Sequence, residues 1–264
     1  MKRSIKVKMI KTPSQFEDHR HFLAIDKNYG EFKRTYLSGN PMYEDFNSPN
    51  LWDRLNDRGL VSSSIDPMAW DRINIVKNTI HVNDSTRILD IGFGSGDLEE
   101  LILSGTPKTK WFGIDISPKS VQKVSKRFPE GIFEKGNMNS IKHKNKFFDY
   151  VIALEVLEHV KPTDVFKSLS EVYRVLKNDG ELIISIPLNE GLEDLVSKGF
   201  NPNAHMREYT PDIIKTELML SGFKIKDTKC LYAFSTNYKI KSFLCSVIPR
   251  LRSPNNLIVT AHKK

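Results

Sequence analysis

Between Arg87 and Asp97 the chain runs Arg-Ile-Leu-Asp-Ile-Gly-Phe-Gly-Ser-Gly-Asp: a short apolar strand (Ile88, Leu89, Ile91) that breaks into glycines at alternate positions, Gly92, Gly94 and Gly96. Glycine permits the positive φ angles and the close backbone approach that a strand-to-helix turn needs when it wraps a ligand. A dinucleotide fingerprint would place its third glycine at position 97, where this chain has Asp97. A carboxylate there repels a pyrophosphate but suits a cationic ligand that carries hydroxyls. The turn therefore points away from a nicotinamide dinucleotide and towards a sulfonium nucleoside.

The residues downstream extend the pattern. A helix over Leu98–Leu103 precedes a second apolar strand, Trp111-Phe112-Gly113-Ile114, which ends in Asp115. A βαβ unit places the acid that accepts ribose hydroxyls about 20 residues after the glycine turn, and Asp115 occupies that place. Ile132-Phe133 leads into Gly136-Asn137-Met138, and Phe148–Leu154 reads as a buried strand entering Glu155-Val156-Leu157-Glu158-His159. In this order the motifs resemble the class I S-adenosylmethionine-dependent methyltransferases. The nearest branch is the one with a Glu-Val-Leu-Glu-His-Val segment, as in ubiquinone-type and natural-product or glycan O-methyltransferases. The resemblance covers roughly residues 66–228. It implies an α/β, Rossmann-like, seven-stranded and mainly parallel sheet with helices on both faces.

A coarse pass along the chain fills in this architecture. Residues 1–65 read as an N-terminal helical cap of short helices and loops, with turn signals at Asn40-Pro41 and Ser48-Pro49-Asn50. Residues 66–264 form the catalytic domain. Asp66-Pro67 opens a helix, an acidic N-cap followed by proline, with Trp70, Ile73, Ile75 and Ile80 as its buried side. Helices are expected near 118–128, 163–177 and Pro211–Leu220, and a strand at Glu181–Ile186. Phe223–Thr228 and Leu257–Ala261 read as a closing antiparallel pair. Alternating helices and apolar strands place helices on both faces of a mainly parallel sheet.

Composition bounds the setting. A chain of 264 residues can bury a good core. Cys230 and Cys245 are too few for a disulfide framework, which favours a reducing, cytoplasmic compartment. The basic N-terminus lacks the apolar run of a signal peptide, and no segment is long enough to span a bilayer. Nine Lys/Arg against the single acid Asp227 in residues 223–264 equal the whole net charge of +8. Such a region can steer an anionic substrate, a lipid surface or RNA; its plainer reading is a solvated face.

The resemblance implies a residue-level site. Asp90, Gly92, Phe93, Gly94 and Gly96 would wrap the methionine and ribose of S-adenosylmethionine, with Asp90 equally readable as a structural acceptor for the turn. Asp115 closes the ribose side, and Ile116 and Leu154 are expected among the cofactor contacts. Asn137 stands where the family has Asp against the adenine amino group, and its side-chain carbonyl accepts the same bond. Met138 packs on the adenine or simply fills core. Arg72 resembles the arginine that pairs with the cofactor carboxylate, or is a surface residue.

Glu155, Glu158 and His159 share a face if the segment turns helically. Three roles compete. His159 acts as general base for an acceptor hydroxyl; or Glu155, Glu158 and His159, joined by His205, hold a divalent metal, as in the small-RNA 2′-O-methyltransferases; or Glu158 caps the segment and His159 is a pocket wall.

Ile240, Phe243, Leu244, Val247, Ile248 and Leu251 recur at helical spacing within the basic segment 236–252, inserted before the last strand and kinked by Pro249. This helix is expected to dock its stripe on the sheet or line an acceptor pocket, with an anionic membrane as the alternative partner. The leading function is methylation of a small-molecule, glycan or lipid-precursor acceptor at oxygen. A metal-dependent RNA methyltransferase is the second class, disfavoured by the lack of an aromatic stacking motif, and a non-catalytic nucleoside binder is the third. No DNA partner is expected.

Overall fold

The computed structural model describes residues 48–57, 66–104, 110–161, 164–191, 205, 208–248 and 250–263. Its elements follow in chain order as α1 (Pro49–Asp57), α2 (Pro67–Thr79), β1 (Arg87–Ile91), α3 (Asp97–Leu103), β2 (Lys110–Asp115), α4 (Pro118–Arg127), β3 (Ile132–Lys135) and β4 (Phe148–Leu154). Then come α5 (Val165–Val175), β5 (Leu176–Pro187), α6 (Pro211–Leu220), β6 (Phe223–Leu231), α7 (Tyr238–Val247) and β7 (Asn256–Lys263).

The seven strands form one sheet in the order β3-β2-β1-β4-β5-β7-β6. β1 to β5 pair in parallel, while β7 runs antiparallel to both β5 and β6. This is the Rossmann-like methyltransferase fold expected from the sequence. Alternating side chains feed two cores. Leu89, Val151, Leu182 and Val259 pack beneath α5 and α6; Ile88, Ile152, Ile183 and Ile258 pack beneath α2, α3 and α4. Strands buried on both faces need such continuous apolar runs.

Asp66 caps α2 as expected, its carboxylate accepting from the Met68 amide at 3.0 Å. Of the expected buried side of α2, Ile73 and Ile80 are buried, Ile75 is half-buried and Trp70 is not buried. Ala69, Ile73 and Val76 carry that side, at spacings of four and three, while Trp70 is 49% exposed. Trp70 follows Ala69 by one residue, about 100° round the helix, and projects to the flank of the stripe.

The Ser48-Pro49-Asn50 turn signal is instead a helix start: the Leu51 amide donates to Ser48 Oγ at 3.2 Å, with proline at the first position of α1. Of the expected N-terminal cap, only 48–57 lies among the described residues, and Asn40-Pro41 and Pro249 fall outside them.

The strand order reverses between β1 and β4, where chain crossovers leave on opposite sides. Ligands of open α/β sheets bind beyond the strand carboxyl ends at this switch point.

Candidate active site

Beyond the carboxyl ends of β1, β2 and β4 lies a cavity of about 410 Å³. That falls within the roughly 300–1,000 Å³ of small-molecule sites. Arg72, Asp90, Gly92, Phe93, Gly94, Asp115, Ile116, Asn137, Met138, Leu154, Glu155 and His159 all border it. Gly96, Glu158 and His205 do not.

The glycine turn is shaped by two positions. Gly92 has φ +73°, and a Cβ there would meet Val156 Cγ2 at 2.6 Å. Gly96 has φ +81° and caps α3; a Cβ there would press on Val124 and Phe128 at 3.1 Å. Gly96 thus builds the turn from behind instead of lining the cavity. Both positions also sit at angles that side chains rarely adopt.

Asp115 ties the turn to the next loop. Its Oδ2 accepts from the Gly94 amide at 3.0 Å and its Oδ1 from the Ser117 amide at 2.8 Å. Burial pushes its carboxyl up to about 6, against the opposing pull of those two amides. A carboxyl that holds its proton more tightly folded than unfolded stabilises the unligated protein most in acid, and that contribution is lost as pH rises from about 4 to about 6. Ligand hydroxyls need the ionised form as acceptor. Affinity for S-adenosylhomocysteine, measured by calorimetry, is therefore expected to fall about tenfold per pH unit below about 6. Asp115→Asn should flatten that profile, and an unchanged affinity between pH 5 and 7 in the parent would exclude the contact.

Asp90 is 3% exposed, and burial raises its pKa well above the usual carboxylate range, followed by the charge of neighbouring Glu99. Glu99 is wholly buried and accepts from Trp111 Nε1 at 2.9 Å. Glu99 was not legible as a site residue, since an acid in the first turn of α3 reads as a solvated cap. Asn137 Oδ1 accepts from the Asn139 amide at 3.1 Å, which leaves one lone pair for a ligand. Met138 joins the apolar core and also borders the cavity.

α1 closes the cavity from the N-terminal side. Asp53 Oδ1 accepts from Ser117 Oγ at 2.5 Å and from the Lys119 amide at 3.2 Å, and Asn56 Nδ2 donates to Ser120 Oγ at 2.7 Å. α1 therefore grips the start of α4. The signal that could have found it is Ser48-Pro49, the same cap-and-proline pair that marks α2.

The Glu155–His159 segment departs from the expected helical turn. Glu155 adopts φ +55°, in the left-handed region, and only Leu157–His159 forms a single 3-10 turn. A strained non-glycine conformation persists when its surroundings over-determine it. Here Glu155 Oε1 accepts from Ser185 Oγ at 2.7 Å and Asn256 Nδ2 at 2.8 Å, and Oε2 pairs with Arg72 Nη1 at 3.2 Å. Glu155 thus stands apart from Glu158 and His159 instead of sharing their face. Arg72 is not a free surface arginine: it is largely buried, and its Nε has no hydrogen-bond partner.

His159 is brought to His205. Their rings meet edge-on at 4.8–4.9 Å in a row, Trp52 against His159 and His159 against His205. Glu158 lies behind, fully buried, its Oε1 3.9 Å from His159 Nε2 and both oxygens without a hydrogen-bond partner. Burial, then the charge of Glu155, raises the Glu158 pKa. His205 Nδ1 is held by Glu190 at 2.8 Å. One ligand-capable atom from each of Glu158, His159 and His205 lies within 4.8 Å of the others. Of the metal set expected from the sequence, three residues converge and Glu155 does not. Glu190 was missed because nothing local in the sequence couples it to His205.

The fold and the sequence comparisons are those of an S-adenosylmethionine-dependent methyltransferase. Residues 88–180 match the family model described as a methyltransferase domain. The chain is similar to the putative methyltransferase YrhH of Bacillus subtilis, 28% identical over 163 residues, covering 60% of this chain and 86% of that one. It is also 32% identical over 140 residues to the ubiquinone/menaquinone biosynthesis C-methyltransferase UbiE of Citrifermentans bemidjiense, covering 50% of this chain and 57% of the other. The chain thus spans most of YrhH and a little over half of UbiE. Among solved structures, the N-methyltransferase NodS of Bradyrhizobium japonicum in complex with S-adenosylhomocysteine shares the fold, with a TM-score of 0.56 at 14% identity, covering 87% of this chain and 98% of that one. No described helix is long and apolar enough to cross a membrane.

Proposed function

We propose that this chain methylates an oxygen on a small-molecule, glycan or lipid-linked acceptor. The observation that carries the reading is the single cavity shared by the cofactor candidates and His159. The cradle fits the donor: bent backbone at Gly92 and Gly94, the Asp115 carboxyl for ribose, Asn137 and Met138 for adenine, and a buried Arg72 with an unused Nε for the methionine carboxylate. Bound S-adenosylmethionine supplies an electrophilic methyl on a positively charged sulfur.

The protein's own work is to bring an acceptor hydroxyl in line with that methyl and to take its proton. His159 is the base. As the oxygen–methyl bond forms and the sulfur–methyl bond breaks, the hydroxyl proton passes to the imidazole and the sulfur leaves as a neutral thioether. Trp52 and His205 fix the ring edge-on from two sides. General-base contributions run to about 10²–10⁴-fold. His159→Ala is therefore expected to lower kcat by at least about 100-fold while S-adenosylhomocysteine affinity stays within a few-fold. Equal loss of both would remove His159 from the chemistry.

A second reading is favoured by the convergence of Glu158, His159 and His205 and by a Glu158 carboxylate whose oxygens have no hydrogen-bond partner. Two imidazoles and one carboxylate are a donor set that suits a divalent transition metal, which would acidify a bound hydroxyl. Under it an RNA 2′-hydroxyl joins the candidate acceptors. Turnover that survives chelator keeps the metal-free base; loss restored by added Mn²⁺ or Zn²⁺ selects the metal. UbiE, by its name, methylates carbon, so the methylated atom is to be read from product analysis in the same assay.

A further inference from the structure

The segment between β6 and β7 was expected to bury its apolar stripe on the enzyme, and the structure turns that stripe outward. Tyr238 and Cys245, seven residues apart, are the buried positions of α7. Ile240, Phe243 and Val247 lie on the diametrically opposite side at spacings of three and four, and they are 66%, 66% and 62% exposed. Leu244, Ile248 and Leu251 widen the patch and are exposed as well. So many large apolar side chains gathered on one outward face mark a surface that meets something.

The rim says what it meets. Lys239 and Lys241 flank the stripe on its two sides, and Arg250 and Arg252 follow at its end. Lys241 Nζ and the Arg252 guanidinium both lie over the Phe234 ring, at 5.6 and 4.7 Å, which holds this basic rim in place. No Asp or Glu occurs from 228 to 264. An apolar stripe bordered by lysines is the pattern of a helix lying in the plane of an anionic bilayer. A second copy of the chain fits badly, because a two-fold contact sets the same basic rim against itself.

The helix also has a defined place relative to the cavity. Leu231 pairs with Asn256, and Asn256 pairs with Pro187, so the insertion leaves and rejoins the sheet at the carboxyl edge of β5. Asn256 bonds Glu155 on the cavity wall. Tyr238 faces α2, where burial and the charges of Asp71 and Asp66 raise its phenol pKa. We infer that α7 docks the protein on an anionic lipid surface through Ile240, Phe243, Leu244 and Val247, at the sheet edge that carries the active-site cavity.

The test is co-sedimentation of the full chain with vesicles of phosphatidylcholine mixed with phosphatidylglycerol, beside vesicles of phosphatidylcholine alone. The parent is expected to pellet with the mixed vesicles at low ionic strength, weakly with the neutral ones, and less as salt rises. The paired change Phe243→Ser and Val247→Ser should reduce partition at least about tenfold. Lys239→Glu should reduce it several-fold. All three positions are exposed, so circular dichroism and S-adenosylhomocysteine affinity should stay at parent values, which separates failure here from failure of the methyl-transfer reading. No pelleting with mixed vesicles at low salt overturns the inference. So does equal pelleting with neutral vesicles, or a dimer in light scattering that the Phe243/Val247 pair dissolves.

Discussion

Asp115→Ala should cost the enzyme about 100-fold or more in affinity for S-adenosylmethionine and for its demethylated product. The carboxylate closes β2 at the floor of the cavity and is 8% exposed. In the proposed cradle it accepts from ribose hydroxyls, and hydrogen bonds to a charged group are each worth about 1.5–3 kcal/mol. The side chain also accepts from the Gly94 and Ser117 amides, so alanine frees both the glycine turn and the start of α4. Calorimetric titration with S-adenosylhomocysteine reads the effect directly. Asp115→Asn is the sharper control: it keeps the volume but turns one acceptor into a donor, which faces an amide N–H. A change of less than about fivefold in the alanine variant would place the ribose elsewhere, since even one lost bond of this kind exceeds that.

The second large effect concerns the fold. Trp111→Ala is expected to destabilise the protein by roughly 3–5 kcal/mol, the range for deleting a large buried aromatic side chain. Trp111 is 1% exposed and sits in the core beneath α2, α3 and α4. Its indole N–H also donates to Glu99, whose carboxyl is fully buried. The substitution therefore opens a cavity and removes one hydrogen-bond donor from a buried acid together. For a chain of this size the midpoint of thermal unfolding should drop by roughly 6–20 °C. Trp111→Phe separates the two causes, because it retains most of the volume and loses only the donor, at about 1–3 kcal/mol. A melting curve for the alanine variant within about 2 °C of the parent would mean that the core refills around the deletion, contrary to the close packing of protein interiors.

What the sequence made readable were the features whose cause is local. Gly92 and Gly96 announce a turn because side chains rarely adopt their φ and a Cβ at either would press on its neighbours. Asp66-Pro67 and Thr210-Pro211 announce helix starts because cap and proline are chemically specific. The continuous apolar runs of β1, β4 and β5 announce a sheet covered on both faces. The features that stayed hidden arise from contacts between distant residues. Glu155 cannot be known to leave the helical path until Ser185 and Asn256 arrive to hold it. The pairing of His205 with Glu190 spans a stretch with no periodic signal. The outward turn of α7 depends on which side Tyr238 finds its pocket against α2, and a stripe of apolar residues reads the same facing in or out. Trp70 misled for a similar reason: aromatic identity suggested burial, whereas its phase on the helix decides against it.

The position of β7 has a consequence for how the molecule is made. It is the last described strand in the sequence, yet it lies between β5 and β6 and hydrogen-bonds to both. A growing polypeptide emerging from the ribosome would hold two unpaired strand margins, each inviting adhesion to a neighbour, until residues 256–263 appear and zip the gap. Expression yield and nascent-chain solubility should then hinge on the final eight positions of that strand far more than their modest length suggests.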